Sequence, residues 1–72
     1  MKYPLTKKQK KYFEFIKKYI QENEMSPSYE EIQKGMKVAG KGVVFTTLYN
    51  LEKRGWIKKL PATARSIVLI DD

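Results

Sequence analysis

The chain has 72 residues, with 15 Lys and Arg against 8 Asp and Glu, for a formal charge of +7. It contains no Cys and no His, which excludes disulfides, Cys/His zinc sites and thiol chemistry. The basic excess points to a polyanionic partner, nucleic acid before an anionic membrane, although a charge of this size also serves solubility alone. No apolar run approaches the ~20 residues of a membrane span. Met1-Lys2-Tyr3-Pro4 is followed by charge rather than by the apolar core of a signal peptide. One small cytoplasmic domain over residues 1–72 is expected, with no membrane partner and no cofactor. A chain of this size buries only roughly 60–65% of its unfolded surface, so its nine aromatic residues matter for stability.

In chain order, Leu5 stands where a hydrophobic staple would place it, before Thr6-Lys7-Lys8-Gln9, a capping box. A first helix is therefore expected over about 7–23. Tyr12, Phe13, Phe15, Ile16, Tyr19 and Ile20 form a wide apolar stripe, as for a helix packed against two partners. Lys7, Lys8, Lys10, Lys11, Lys17 and Lys18 occupy the other face. They read as a solvated surface, or as a diffuse field that speeds association. Met25-Ser26-Pro27 is an extended connection, since proline biases Ser26 away from helix.

Ser28 to Gly55 is the organising stretch. Ser28-Tyr29-Glu30-Glu31 is a second capping box and predicts a helix over about 29–36, with Ile32 and Met36 on one face. Gly35 inside it marks either close helix approach or an early helix end. After Val38-Ala39-Gly40, Val44, Leu48 and Leu51 recur at steps of four and three, predicting a third helix over about 41–54. Lys53-Arg54-Gly55 is a C-terminal signal: cations in the last turn, then glycine. Two helices joined by a short turn containing Gly make a helix-turn-helix.

Trp56 to Leu60 and Ser66 to Ile70 are rich in β-formers and bracket Pro61 to Arg65. They predict an antiparallel hairpin, with strands at about 56–60 and 66–70 and Ile57, Ile67 and Leu69 facing the helices. The fold class is therefore mainly α with a small β-hairpin, three helices plus a two-stranded wing: a winged helix-turn-helix.

That fold makes a geometric demand. The third helix must offer its N-terminal half to a DNA major groove. With Val44, Leu48 and Leu51 inward, the outward positions are Lys41, Gly42, Phe45, Thr46, Tyr49 and Asn50, with Val43 at the edge. Phe45 and Tyr49 either pack under the wing, or contact thymine methyls and phosphate. Free N–H groups after Ser28 form an anion site, to which the Tyr29 hydroxyl adds. Lys53, Arg54 and Arg65 are placed to touch sugar-phosphate, as is one of Lys58 and Lys59; Lys59 is the expected one.

Gly35 to Gly42 nearly spells a phosphate-binding loop. It has Gly42 where Ser or Thr should follow Lys41, and it follows a helix rather than a strand. No paired carboxylates or supported Ser/Lys dyad suggest an active site, so an enzyme is not expected.

Leu5-Thr6, Gln9, Phe13, Ile16, Ile20, Met25, Pro27, Ser28, Glu31-Ile32, Leu48, Leu51, Gly55, Ile57, Arg65, Ile67 and Leu69 together resemble the N-terminal DNA-binding domain of the LexA repressors. The match runs along nearly the whole chain without gaps. The resemblance implies that the helix after the turn reads an operator and that the wing touches the backbone. By position, Gly40, Gly42, Val43, Phe45 and Thr46 fall in the base-reading segment, joined by Lys41 of the outward face. Tyr29, Lys53, Arg54 and the tip from Ala62 to Arg65, with Thr63, fall in backbone-contacting places.

The chain departs from the family pattern at Glu24, Lys37 and Gly40, where glycine, Gly-like turn chemistry and a serine cap are usual. Phe45 and Thr46 replace polar and charged readers, so a different operator is expected. No self-cleavage site or protease domain is seen in these residues, so no self-cleavage response to DNA damage is expected. The expected function is sequence-preferring binding of double-stranded DNA by a transcriptional repressor or regulator, with a phage or plasmid origin open, associated with the nucleoid and acting as a homodimer on DNA or with a larger protein partner. The alternative is an adaptor that binds a protein partner through the same helix face.

Overall fold

The computed structural model describes residues 2–60 and 67–70. Helix α1 covers Lys7–Asn23, α2 Tyr29–Met36 and α3 Lys41–Lys53. Strands β1, Ile57–Lys59, and β2, Ile67–Leu69, pair antiparallel in the register Ile57↔Leu69, Lys58↔Val68 and Lys59↔Ile67. Three helices followed by a two-stranded hairpin is a mainly helical winged helix-turn-helix layout. The expected wing tip, with Thr63 and Arg65, lies outside the described residues.

Both capping boxes form. The Gln9 N–H donates to Thr6 Oγ1 at 3.2 Å, and the Thr6 N–H donates to Gln9 Oε1 at 3.0 Å. At α2 the Glu31 N–H donates to Ser28 Oγ at 3.2 Å, and the Ser28 N–H donates to Glu31 Oε1 at 2.8 Å. Each box satisfies backbone donors that have no partner within the helix. The end of α3 is equally defined. Gly55 adopts φ 84°, its N–H donates to Glu52 O at 3.1 Å, and the Trp56 N–H donates to Leu51 O at 3.0 Å. This is a Schellman closure, which turns the chain out of the helix and into β1.

Helix α1 packs on both α2 and α3, and α3 also packs on β1. The buried centre is Tyr12, Ile16, Ile32, Val44, Leu48, Leu51, Ile57 and Ile67, with Leu5, Phe13, Phe15, Trp56 and Leu69 among the half-buried residues around it. Gly35 marks close approach. A Cβ built there would overlap Phe15 Cε2 and Cζ, so the ring of Phe15 lies across the bare backbone of α2. Helix α2 continues past Gly35 to Met36.

The two turns flanking α2 carry unusual backbone. Glu24, with φ 56°, and Lys37, with φ 55°, are the non-glycine residues in the left-handed region among those described. These are two of the places where the family pattern calls for glycine or Gly-like turn chemistry. The turn at Lys37 is held by its N–H donating to Lys34 O at 3.2 Å and by the Val38 N–H donating to Gln33 O at 3.2 Å.

The leader is strapped over the end of α3. The Tyr3 N–H donates to Arg54 O at 3.0 Å, and Trp56 Nε1 donates to Tyr3 O at 2.6 Å. Lys2 Nζ sits 4.8 Å from the centroid of the Trp56 ring, within cation–π range. On the other side, Ser26 ties the wing to the α1–α2 connection. The Ile67 N–H donates to Ser26 Oγ at 3.1 Å, and that hydroxyl donates to Pro27 O at 3.0 Å.

Candidate nucleic-acid interface

The apolar spacing of α3 decides which of its sides faces solvent. Val44, Leu48 and Leu51 are buried, and Thr47 turns inward with them. The Thr47 hydroxyl donates to Val43 O at 2.8 Å, so its polar atom is spent on its own helix. Position 47 breaks the apolar series, which is why hydropathy alone passes over it.

The opposite edge of α3 is open. Val43, Phe45 and Tyr49 are exposed, as are Lys41, Gly42 and Thr46, while Gly40 is half-buried at the N-cap. Gly40 is extended and offers no side-chain cap, and a Cβ at either Gly40 or Gly42 would meet nothing within 4 Å. The six positions expected to read bases therefore form one continuous strip at the start of α3.

Phe45 packs against α2. Its ring meets that of Tyr29 edge-on, with centroids 4.7 Å apart and an interplanar angle of 84°. Such an edge-to-face pair adds about 0.5–1.5 kcal/mol beyond the area it buries. Phe45 still keeps 48% of its surface exposed. Lys41 is engaged as well, its Nζ lying 3.3 Å from Glu30 Oε1. Both side chains are exposed, so the pair is worth at most about 1 kcal/mol and yields readily to a stronger anion.

The residues expected to touch a backbone surround this strip unevenly. Ser28 and Tyr29 sit at the N-terminus of α2, where helix geometry aims N–H groups outward. Tyr49 is exposed one turn beyond Phe45, and Lys53 Nζ lies 6.0 Å from its ring centroid. Arg54 is partly committed, its Nη1 donating to Pro4 O at 2.7 Å. Lys59 lies on the same face of β1 as Ile57, with Nζ 3.8 Å from Glu52 Oε1. The Lys59 N–H donates to Glu52 Oε2 at 3.2 Å, so one carboxylate holds both. Lys58, paired with Val68, faces solvent.

The fold also brings in residues that sequence reasoning passed over. Lys8 lines a shallow depression with Gly42, Val43, Thr46 and Thr47, which sets a first-helix lysine beside the strip. At the other end, Tyr3 and Pro4 line a notch with Asn50, Lys53 and Arg54, three positions that the sequence already marks. Both are juxtapositions across elements, and neither leaves a local pattern. Among the described residues no cluster of acidic side chains could hold a metal, and no helix is long and apolar enough to cross a membrane.

Comparison with known proteins agrees with this geometry. The LexA DNA binding domain model matches residues 1–66. The LexA repressor of Thermosipho melanesiensis is 44% identical over 66 residues, which cover 92% of this chain and 33% of the relative. The LexA repressor of Caldicellulosiruptor saccharolyticus is 40% identical over 72 residues, covering 100% of this chain and 36% of the relative. The chain thus spans about a third of the length of the curated relatives it matches. With the three helices, the hairpin and this match over 66 residues in place, the chain belongs to the LexA DNA-binding domain family.

Proposed function

We propose that this chain binds double-stranded DNA with a sequence preference and acts as a transcriptional repressor in the cytoplasm, on the nucleoid. The observation that carries the reading is the open strip at the start of α3, in a chain of this family. A recognition helix presents its N-terminal residues to base edges while neighbouring groups hold the phosphates. Gly40, Lys41, Gly42, Val43, Phe45 and Thr46 approach the major groove in this reading. Ser28, Tyr29, Tyr49, Lys53, Arg54 and Lys59 flank them as backbone contacts, and Lys8 joins these from α1.

The chain carries a formal charge of +7. Neutralising about six phosphates gives a log–log dependence of affinity on salt with a slope of roughly −5. One copy of this fold covers one half-site. Tight binding therefore calls for two copies on a symmetric operator, or a larger protein partner.

Selection of bound duplexes from a random pool, read at two salt concentrations, tests the proposal. It expects an enriched motif and an affinity that falls steeply with salt. No enrichment, or binding indifferent to salt, overturns it. The exposure of Phe45 and Tyr49 favours a second reading, an adaptor that captures a protein through the same strip. Joint substitution of Lys41, Phe45 and Thr46 separates the two. Lost DNA binding with an intact fold supports the first, and lost partner capture with unchanged DNA binding supports the second.

A further inference from the structure

The strip at the start of α3 lacks the Arg, Asn and Gln side chains that read bases by paired hydrogen bonds. From Gly40 to Tyr49 there is no Arg, Asn or Gln. Those side chains, with Lys, make the bidentate pairs to guanine and adenine. The lysine in this stretch, Lys41, lies 3.3 Å from Glu30 in an exposed pair that yields to a stronger anion, so it serves a phosphate as readily as a base. Gly40 and Gly42 present no side chain, and the Thr47 hydroxyl is turned onto Val43 O. What faces outward is apolar and aromatic: Val43, Phe45 and Tyr49, with Thr46 between them.

Phe45 is also held. An exposed phenyl ring on a free helix would sample several rotamers, but here the ring of Tyr29 braces it edge-on at 4.7 Å. Tyr29 opens α2 behind the Ser28 cap, so its own position is set by the capping box. A braced apolar edge beside Val43, on an otherwise bare helix start, matches one feature of the major-groove floor. That feature is the C5-methyl group of thymine, the apolar group that a base pair shows there.

We propose that Phe45, braced by Tyr29 and flanked by Val43, selects thymine C5-methyl groups, so that the half-site is read by its methyl pattern rather than by paired hydrogen bonds. The inference rests on the DNA-binding reading above and names what that strip recognises. Phe45 makes the contact, Val43 flanks it, and Tyr29 positions the ring.

Deoxyuridine is the probe. Replacing a thymine by uracil removes the methyl and leaves every hydrogen-bonding group in place. The selected duplex is compared with versions carrying uracil at one thymine at a time. Loss of one buried methyl corresponds to about fourfold in affinity. The wild-type chain is expected to lose about fourfold at one or two positions, while Phe45→Ala binds the thymine and uracil duplexes equally. Tyr29→Phe keeps the brace and the discrimination, and Tyr29→Ala weakens it. Phe45 lies outside the buried centre, and far-UV circular dichroism verifies that its variant is folded.

Equal binding of thymine and uracil duplexes by the wild-type chain overturns the inference while leaving DNA binding intact. So does discrimination that survives in Phe45→Ala. Failure to bind any duplex overturns both readings.

Discussion

Replacing Gly35 by alanine sets two terms against each other. In a helix, alanine is favoured over glycine by about 0.5–1 kcal/mol, so on an open face the change would stabilise. The face is not open, because the added methyl would overlap Phe15 Cε2 and Cζ. The ring must leave its half-buried seat, where it also stacks at a tilt on Tyr19 with centroids 6.2 Å apart. Full burial of a phenylalanine is worth about 1.5–3 kcal/mol, so losing half of it costs about 1–1.5 kcal/mol. The aromatic pair adds about 0.5–1 kcal/mol to that loss. Gly35→Ala should therefore destabilise the chain by about 1 kcal/mol, lowering Tm by roughly 4–8 °C for a domain of this size. In a Phe15→Ala background the clash is gone, and the same change should stabilise by about 0.5–1 kcal/mol. Urea unfolding followed by far-UV circular dichroism on the four proteins of this cycle gives a coupling of about 2 kcal/mol. Equal stabilisation in both backgrounds would refute the close-approach account and leave Gly35 a residue of poor helix propensity only.

Three further substitutions report on local backbone and burial. Lys37→Gly should raise the urea midpoint by the equivalent of about 0.5–1 kcal/mol. A left-handed conformation costs a non-glycine residue roughly 1–2 kcal/mol, and the extra freedom of glycine in the unfolded chain returns part of it. No gain would mean that the Lys37 side chain compensates locally. Gly40→Ser adds a cap where there is room for a Cβ, and should stabilise α3 by a few tenths of a kcal/mol with slower amide exchange in its first turn. Unchanged exchange there would contradict it. Tyr12→Phe removes a buried hydroxyl with no hydrogen-bond partner among the described residues, so stability should hold or rise by up to about 1 kcal/mol. A clear loss in the same unfolding experiment would show that the hydroxyl is satisfied after all.

What could be read from the sequence was what repeats or caps locally. The Thr6 and Ser28 boxes, the spacing of Val44, Leu48 and Leu51, and Gly55 behind two cations are patterns within a few residues, and each has its counterpart in the fold. The alternation of Ile57, Ile67 and Leu69 likewise places the inner face of the hairpin. Contacts set by tertiary geometry left no such trace. Ser26 reaches Ile67 across 41 positions, and Arg54 reaches Pro4 across 50. The pairing of Lys41 with Glu30, and the brace of Tyr29 on Phe45, depend on the angle between α2 and α3. No hydropathy period encodes that angle. The side-chain partners of the strip are therefore less legible in the sequence than its position. Lys41 reads as an outward position in the sequence, and in the fold it is exposed and lies 3.3 Å from Glu30 Oε1.

The most direct test of the account is the amide chemical-shift footprint of the selected duplex on the isotopically labelled chain. The largest changes are expected from Gly40 to Thr46, with smaller ones at Ser28 and Tyr29. Changes concentrated on the Lys10, Lys11, Lys17 and Lys18 side of α1, with α3 silent, would contradict it.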